Sequence, residues 1–289
     1  MRLPWCSIYF LVLAKNDLCA AKLLYNHGLH AHSLFWLSQA VEKALKSFLA
    51  VGKDETYCKE LKRLRHEPIY HEVRKEMSEQ TRRLRHVAKL LTSKGAKEGL
   101  VNKLIDLANR FEQTVKDIEE LHFTDVREIL NDEDMLQRLI STAKEFLEEL
   151  KHIHNNKPDL EEILRDPYFV QSIEMLKEYA RMITPLDAEQ IDKVIKLFID
   201  TIPMLVSHIE AFYGFAALLP IQLLFETCRI STLTRYPEKP DLGPKELSNT
   251  AMAKYIPALL EIVDTAIEAI DRETKQLQEV VKKTKETYT

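Results

Sequence analysis

Four polar side chains, Gln39, Glu42, Lys43 and Lys46, fall on one narrow stripe of an otherwise apolar segment, SLFWLSQAVEKALKSFLA, residues 33–50. At the helical repeat Leu34, Leu37, Val41, Ala44, Leu45 and Phe48 take the opposite face. Glu42 and Lys46 stand four residues apart, the spacing of an ion pair along a helix, so the stripe read by itself is a solvated face. A second cluster, Arg82-Arg83-Leu84-Arg85-His86, has the charge to touch phosphate, but Glu72, Glu76 and Glu79 dilute it and favour a solvated helix surface. His27, His30 and His32 crowd a turn with no Asp or Cys to complete a ligand set, so no metal site is expected there. His152 and His154 suit a helix C-terminus, where positive charge is favourable. Glycine-rich phosphate loops and Gly-x-Ser-x-Gly elbows are absent, which sets aside the familiar kinase, NTPase and hydrolase chemistries.

The elements that must carry these residues are helices. The chain has 289 residues, 45% of them apolar, with only six glycines and eleven prolines, and its long Leu, Glu, Lys and Ile stretches favour helix over hairpin. The expected class is all-α. A net charge of −4, with basic and acidic residues interspersed, provides no global field to gather nucleic acid, so any such contact must be local. Cys6, Cys19, Cys58 and Cys228 are widely spaced without a Cys-x-x-Cys pair, which argues against a zinc knuckle or a redox motif and fits a reducing cytoplasm. The opening residues imitate a leader, yet Leu11, Ala14, Leu18, Ala21 and Leu24 keep helical spacing past Lys15 and Asp17, as a core helix does. Residues 211–225 form a further apolar run, bounded by His208 and Glu210, that reads as a buried helix rather than a membrane span.

Helices are expected over about 7–25, from about 33 to near Gly52, then roughly 79–93, 97–121, 124–154, 168–182 and 186–201, the last opened by Thr184-Pro185. Gly28 should close the first helix, and Pro68 should interrupt the basic piece around residues 59–71. An apolar helix is expected from Pro203 to about Thr232, bent at Pro220, and a last helix from about Lys245 to Lys285.

Several of these features occur together and in order: Ala21-Lys22-Leu23-Leu24 before the Gly28 turn, Gln39-Ala40-Val41-Glu42-Lys43-Ala44-Leu45-Lys46 after it, then His66, and far downstream Arg235-Tyr236-Pro237. In this the chain resembles the HEPN domain family, helical bundles that bind nucleotides or cleave RNA. The resemblance implies an up-and-down bundle whose first part is residues 1–71 and whose second is 204–289, separated by a helical insertion over 72–203. It implies a homodimer, and a separate nucleotidyltransferase as a further partner. In such a bundle Gln39, Glu42, Lys43 and Lys46 adjoin His66, Arg235 and Tyr236, with Arg65 beside them, and form a polar pocket for a nucleotide or RNA. No cofactor and no metal are implied.

Nuclease members of the family carry an arginine, a polar residue and, a few residues on, a histidine, and Arg65-His66-Glu67-Pro68-Ile69-Tyr70-His71 can be written in that form. Arginine stabilises developing phosphate charge and histidine moves protons near neutrality. The leading expectation is a cytoplasmic nucleotide- or RNA-associated binding module. The alternatives are a metal-independent, toxin-type RNase using Arg65 and His71, and a scaffold whose inserted helices bind another protein.

Overall fold

The computed structural model of the chain describes residues 5–64, 69–93, 98–119, 126–156, 165–184, 187–228, 230 and 244–288, and these contain helices and no strand. In chain order the helices are α1 (Trp5–Asn26), α2 (His30–Ala50), α3 (Glu55–Arg63), α4 (Tyr70–Ser93), α5 (Glu98–Glu119) and α6 (Val126–Asn131). Then come α7 (Glu133–Asn155), α8 (Pro167–Ile183), α9 (Ala188–Thr227), α10 (Pro244–Leu247), α11 (Ala251–Lys254) and α12 (Ile256–Tyr288).

The first hairpin follows directly from its sequence. Gly28 has φ +73°, the left-handed conformation that lets its own N–H and that of Leu29 bond back to Tyr25 and Leu24 at 2.9 Å each. The antiparallel α1 and α2 are stitched by Ser33, whose hydroxyl donates to the Ala21 carbonyl at 2.8 Å, and by Ser47, which donates to the Ser7 carbonyl at 2.9 Å. Both hydroxyls are buried, so each bond also spares the fold an unsatisfied polar group.

Against this hairpin pack α12 and the apolar half of α9, so segments from both ends of the sequence share one core. Phe48 of α2 stacks on Phe215 of α9 with ring centroids 4.5 Å apart. The approach of α9 to α12 is close enough to need a glycine: a Cβ on Gly214 would lie 3.0 Å from the Ala266 carbonyl oxygen. Lys15 and Lys22 on α1 reach Asp271 and Asp264 on α12 at 2.8 and 2.7 Å. Helix α7 covers a further side of α9, while α4 and α5 pair with each other.

Four expectations need correction. Residues 186–201 and the apolar helix after Pro203 are one helix, α9, which passes through Pro203 and Pro220 without ending. Each proline removes a backbone donor, at a cost of about 3 kcal/mol in an isolated helix, but contacts with α2, α7, α8 and α12 along α9 offset it. The helix is capped by Asp187, not by Thr184. Asp187 accepts from Gln190 N at 2.8 Å and Gln190 Oε1 accepts from Asp187 N at 3.0 Å, whereas the Thr184 hydroxyl bonds back to Ala180 at the end of α8.

The expected 124–154 helix is broken at Asp132, whose carboxylate caps α7 through Met135 N at 2.9 Å. The expected last helix is interrupted twice before α12 begins. Cys6 and Cys58 are joined in a disulfide linking α1 to α3; Cys19 and Cys228 are free.

The stretch Val206–Thr227 is long and apolar enough to cross a membrane by length and composition, but 83% of its apolar 18-residue window is buried inside the protein, as a core helix is.

Candidate functional site

On α2 the polar stripe is turned inward more than a solvated face would be. Lys46 is 4% exposed, and its ammonium donates to Glu42 Oε1 at 2.6 Å and to the Leu64 carbonyl at 2.7 Å. Leu64 is the residue after α3 and immediately before Arg65, so a buried cation on α2 holds the backbone from which that segment leaves. Ile69, 1% exposed, holds the other side of it.

Lys43 takes a different direction and pairs with Asp17 on α1. Burial raises the Asp17 carboxyl above its usual range, and the Lys43 hydrogen bond and charge work against that rise. Gln39 is buried, and Glu42 is half-buried beside Lys46.

The structure therefore brings Glu42 and Lys46 to the chain position next to Arg65, while Lys43 is spent on α1. His71 lies in the first turn of α4. Arg65, His66, Arg235 and Tyr236 lie outside the described residues, and with them the expected meeting of the stripe with the Arg235 turn. Phe35 and Trp36, which do not fit the inward stripe of α2, meet edge to face at 5.3 Å, and Trp36 packs in part against the core.

A groove of about 760 Å³ opens between α3 and α4, the two helices joined by residues 64–69. Lys53, Arg74, Lys75, Arg82 and Arg83 line it together with Tyr57 and the carboxylates of Glu72, Glu76 and Glu79. Arg82 and Arg83 share Glu79, at 2.9 and 3.0 Å, and hold its carboxyl below the usual range. Lys53 stands 3.7 Å from Glu76 and 5.4 Å from the centre of the Tyr57 ring. Burial pushes the Tyr57 hydroxyl well above its ordinary pKa, and the charges of Glu72, Glu76 and Glu60 add to that.

Sequence reasoning saw the arginines and the diluting carboxylates of this groove, but not Lys53 and Tyr57 as its opposite wall. Arg85 leaves the cluster to bridge to Glu112 on α5. Among the described residues no group of three or more His, Cys, Asp or Glu side chains is placed to hold a metal ion.

The chain's first seven helices carry its likeness to known proteins: the HEPN domain family model matches residues 9–153, half of the chain, from α1 into the last turn of α7. The chain belongs to the HEPN domain family. No curated protein and no solved structure matches it. At the level of the family, this HEPN domain is an all-α, nucleotide- or RNA-associated module. The match runs through α2 with its Gln39-to-Lys46 stripe, the 64–69 segment and both walls of the α3–α4 groove.

Proposed function

We propose that this HEPN protein is a binding module that takes a nucleotide or RNA phosphate in the α3–α4 groove, next to Arg65 and His66, without requiring catalysis. The observation that supports it most is the groove itself: five basic side chains and one tyrosine face three carboxylates on the two helices that flank the Arg65–His66 segment. Guanidinium and ammonium groups bind phosphate through charge-assisted hydrogen bonds, and a tyrosine ring gives a base a surface to stack on. Lys46 acts here as a positioning residue, because its ammonium is already bonded to Leu64 and Glu42.

The test is fluorescence anisotropy with end-labelled single-stranded RNA, and thermal shift with ATP, both in chelator. Charge reversal at two exposed groove residues, Lys75→Glu with Arg83→Glu, is expected to weaken RNA binding at least tenfold and to flatten its salt dependence by about two phosphate contacts. Lys43→Ala should change binding little. Equal binding by the reversed variant would remove the groove from consideration. Labelled RNA should stay full length throughout. Cleavage lost in both Arg65→Ala and His71→Ala would instead establish the metal-independent RNase.

We also propose a homodimer that associates with a separate nucleotidyltransferase. Family membership supports the pairing, and so does the outer face of α1, where Trp5, Tyr9, Val12 and Leu23 are all exposed at helical spacing. Sedimentation should give a dimer that Val12→Glu converts to monomer, and the tagged chain should recover the nucleotidyltransferase from cells; a wild-type monomer removes the pairing.

We propose as well that the chain divides into 1–71 and 204–289 as the two parts of the bundle and 72–203 as a helical insertion. The packing of α1 and α2 on α9 and α12 supports it.

A further inference from the structure

A second cavity, of about 890 Å³, lies between α5, α7 and α9, away from the α3–α4 groove. One wall is a face of α7 carrying Glu145, Glu148, Glu149 and His152, three or four residues apart and so side by side. The α5 wall supplies Asp106 and Arg110, and Phe146, Ile153 and Tyr213 provide apolar surface. Arg110 lies 3.1 Å from Asp106 and 3.9 Å from Glu149, so those three charges partly satisfy one another. Glu145 and Glu148 have no ion pair or hydrogen bond among the described residues, and both are exposed.

Carboxylates alone would say little, since acidic helix faces are common. Tyr213 is the independent observation. It is 9% exposed, it lines the cavity, and its hydroxyl has no hydrogen-bond partner among the described residues. Burial together with the charges of Glu149 and Asp106, opposed by Arg110, pushes that hydroxyl up to about 12, which places the phenol among the cavity's charged groups and keeps it a donor and acceptor at neutral pH. With no partner among the described residues, that hydroxyl is free to bond to what enters the cavity.

The chemistry narrows the ligand. An excess of carboxylates asks for a cation. Among the described residues no three acidic, histidine or cysteine side chains are close enough to share one metal ion, which favours a cation whose charge is spread over separate points. Phe146, Ile153 and the Tyr213 ring offer apolar surface between those points. The volume is in the range of small-molecule sites and small for a folded partner.

We propose that this cavity binds a linear aliphatic polyamine. Its ammonium groups sit at Glu145, Glu148 and Glu149, and its methylene segments lie on the aromatic wall. The Tyr213 hydroxyl accepts from one N–H. This site is independent of the phosphate-binding reading of the α3–α4 groove: one attracts cations, the other anions.

The experiment is titration calorimetry of the full chain with spermidine at low and at physiological salt. A single saturable site is expected. Glu145→Gln and Glu148→Gln should each weaken it about tenfold, and Tyr213→Phe several-fold. The two glutamates are exposed, so thermal melting of their variants should match the wild type, and loss of binding is then not loss of fold. Magnesium at matched charge should leave the spermidine isotherm in place.

Three results would overturn the proposal: no saturable heat, magnesium displacing spermidine as readily as added spermidine does, or a lysine-rich peptide binding more tightly than spermidine. The last would make the cavity a protein-docking surface.

Discussion

Lys46→Met is expected to lower the free energy of unfolding by about 3 kcal/mol, read from urea denaturation at neutral pH. Methionine keeps the length and most of the volume of the side chain, so packing beside Phe10, whose ring centre lies 6.0 Å from the ammonium, changes little. What is lost is the cation. Glu42, only 17% exposed, then carries a charge without its 2.6 Å partner, and the Leu64 carbonyl loses its 2.7 Å donor. Breaking one side of a buried pair costs about 3–5 kcal/mol, and partial access of Glu42 to water puts this case at the lower end.

Two further results distinguish this account from simple overpacking. Adding Glu42→Gln to Lys46→Met should recover much of the loss, because the stranded charge is then gone. Backbone amides of α3 should also exchange faster in the single variant, since Lys46 is what ties the end of α3 to α2. A Lys46→Met protein as stable as the wild type would mean that the ammonium is free for ligand, and the nucleotide-pocket reading of the α2 stripe would regain its force.

That prediction shows where the sequence is readable and where it stops. The apolar period of α1 and α2 and the turn at Gly28 are local properties, and the hairpin forms where they say. The stripe Gln39, Glu42, Lys43 and Lys46 is equally visible, but its direction depends on Asp17, a carboxylate inside the apolar pattern of α1, and on a carbonyl eighteen residues downstream. Neither partner leaves a trace in local spacing.

Long-range pairing hides Cys6–Cys58 in the same way, because a separation of 52 residues has no periodic signature. Proline rules fail at Pro203 and Pro220 for the opposite reason. They describe an isolated helix, and α9 is held by α2, α7, α8 and α12 along its length. The Asp187–Gln190 capping box was readable as Asp-x-x-Gln, but Thr184-Pro185 offered a competing start three residues earlier. Net charge fails for the α3–α4 groove because Glu79 meets both Arg82 and Arg83, and only geometry says which basic groups remain for a ligand.

A larger loss is expected from Arg272→Leu, about 4 kcal/mol, because the carboxylate it leaves behind is completely buried. Glu210 on α9 is 0% exposed. Its Oε2 accepts from Arg272 Nε on α12 at 3.1 Å, and its Oε1 lies 3.2 Å from His154 Nδ1 on α7. Three helices therefore converge on one acid, and Arg272 is the member that is cationic at every pH of interest. Leucine leaves Glu210 charged in the core without its guanidinium donor, with a half-exposed histidine among the partners that remain.

Replacing both charges, Arg272→Leu with Glu210→Met, should restore stability to within about 1 kcal/mol of the wild type, because an apolar pair of similar volume avoids the desolvation cost that the ion pair only offsets. The contrast between single and double variants is the informative measurement. If both are equally unstable, the loss is one of packing. If Arg272→Leu alone is nearly neutral, Glu210 is held by its other contacts and the bridge from α12 contributes little. Recovery in the double variant would identify the Arg272–Glu210 pair as a device that fixes α9 on α12. In that case α7, which carries the carboxylate wall of the second cavity, is held by its apolar face once Glu210 no longer meets His154, and the double variant should retain spermidine binding.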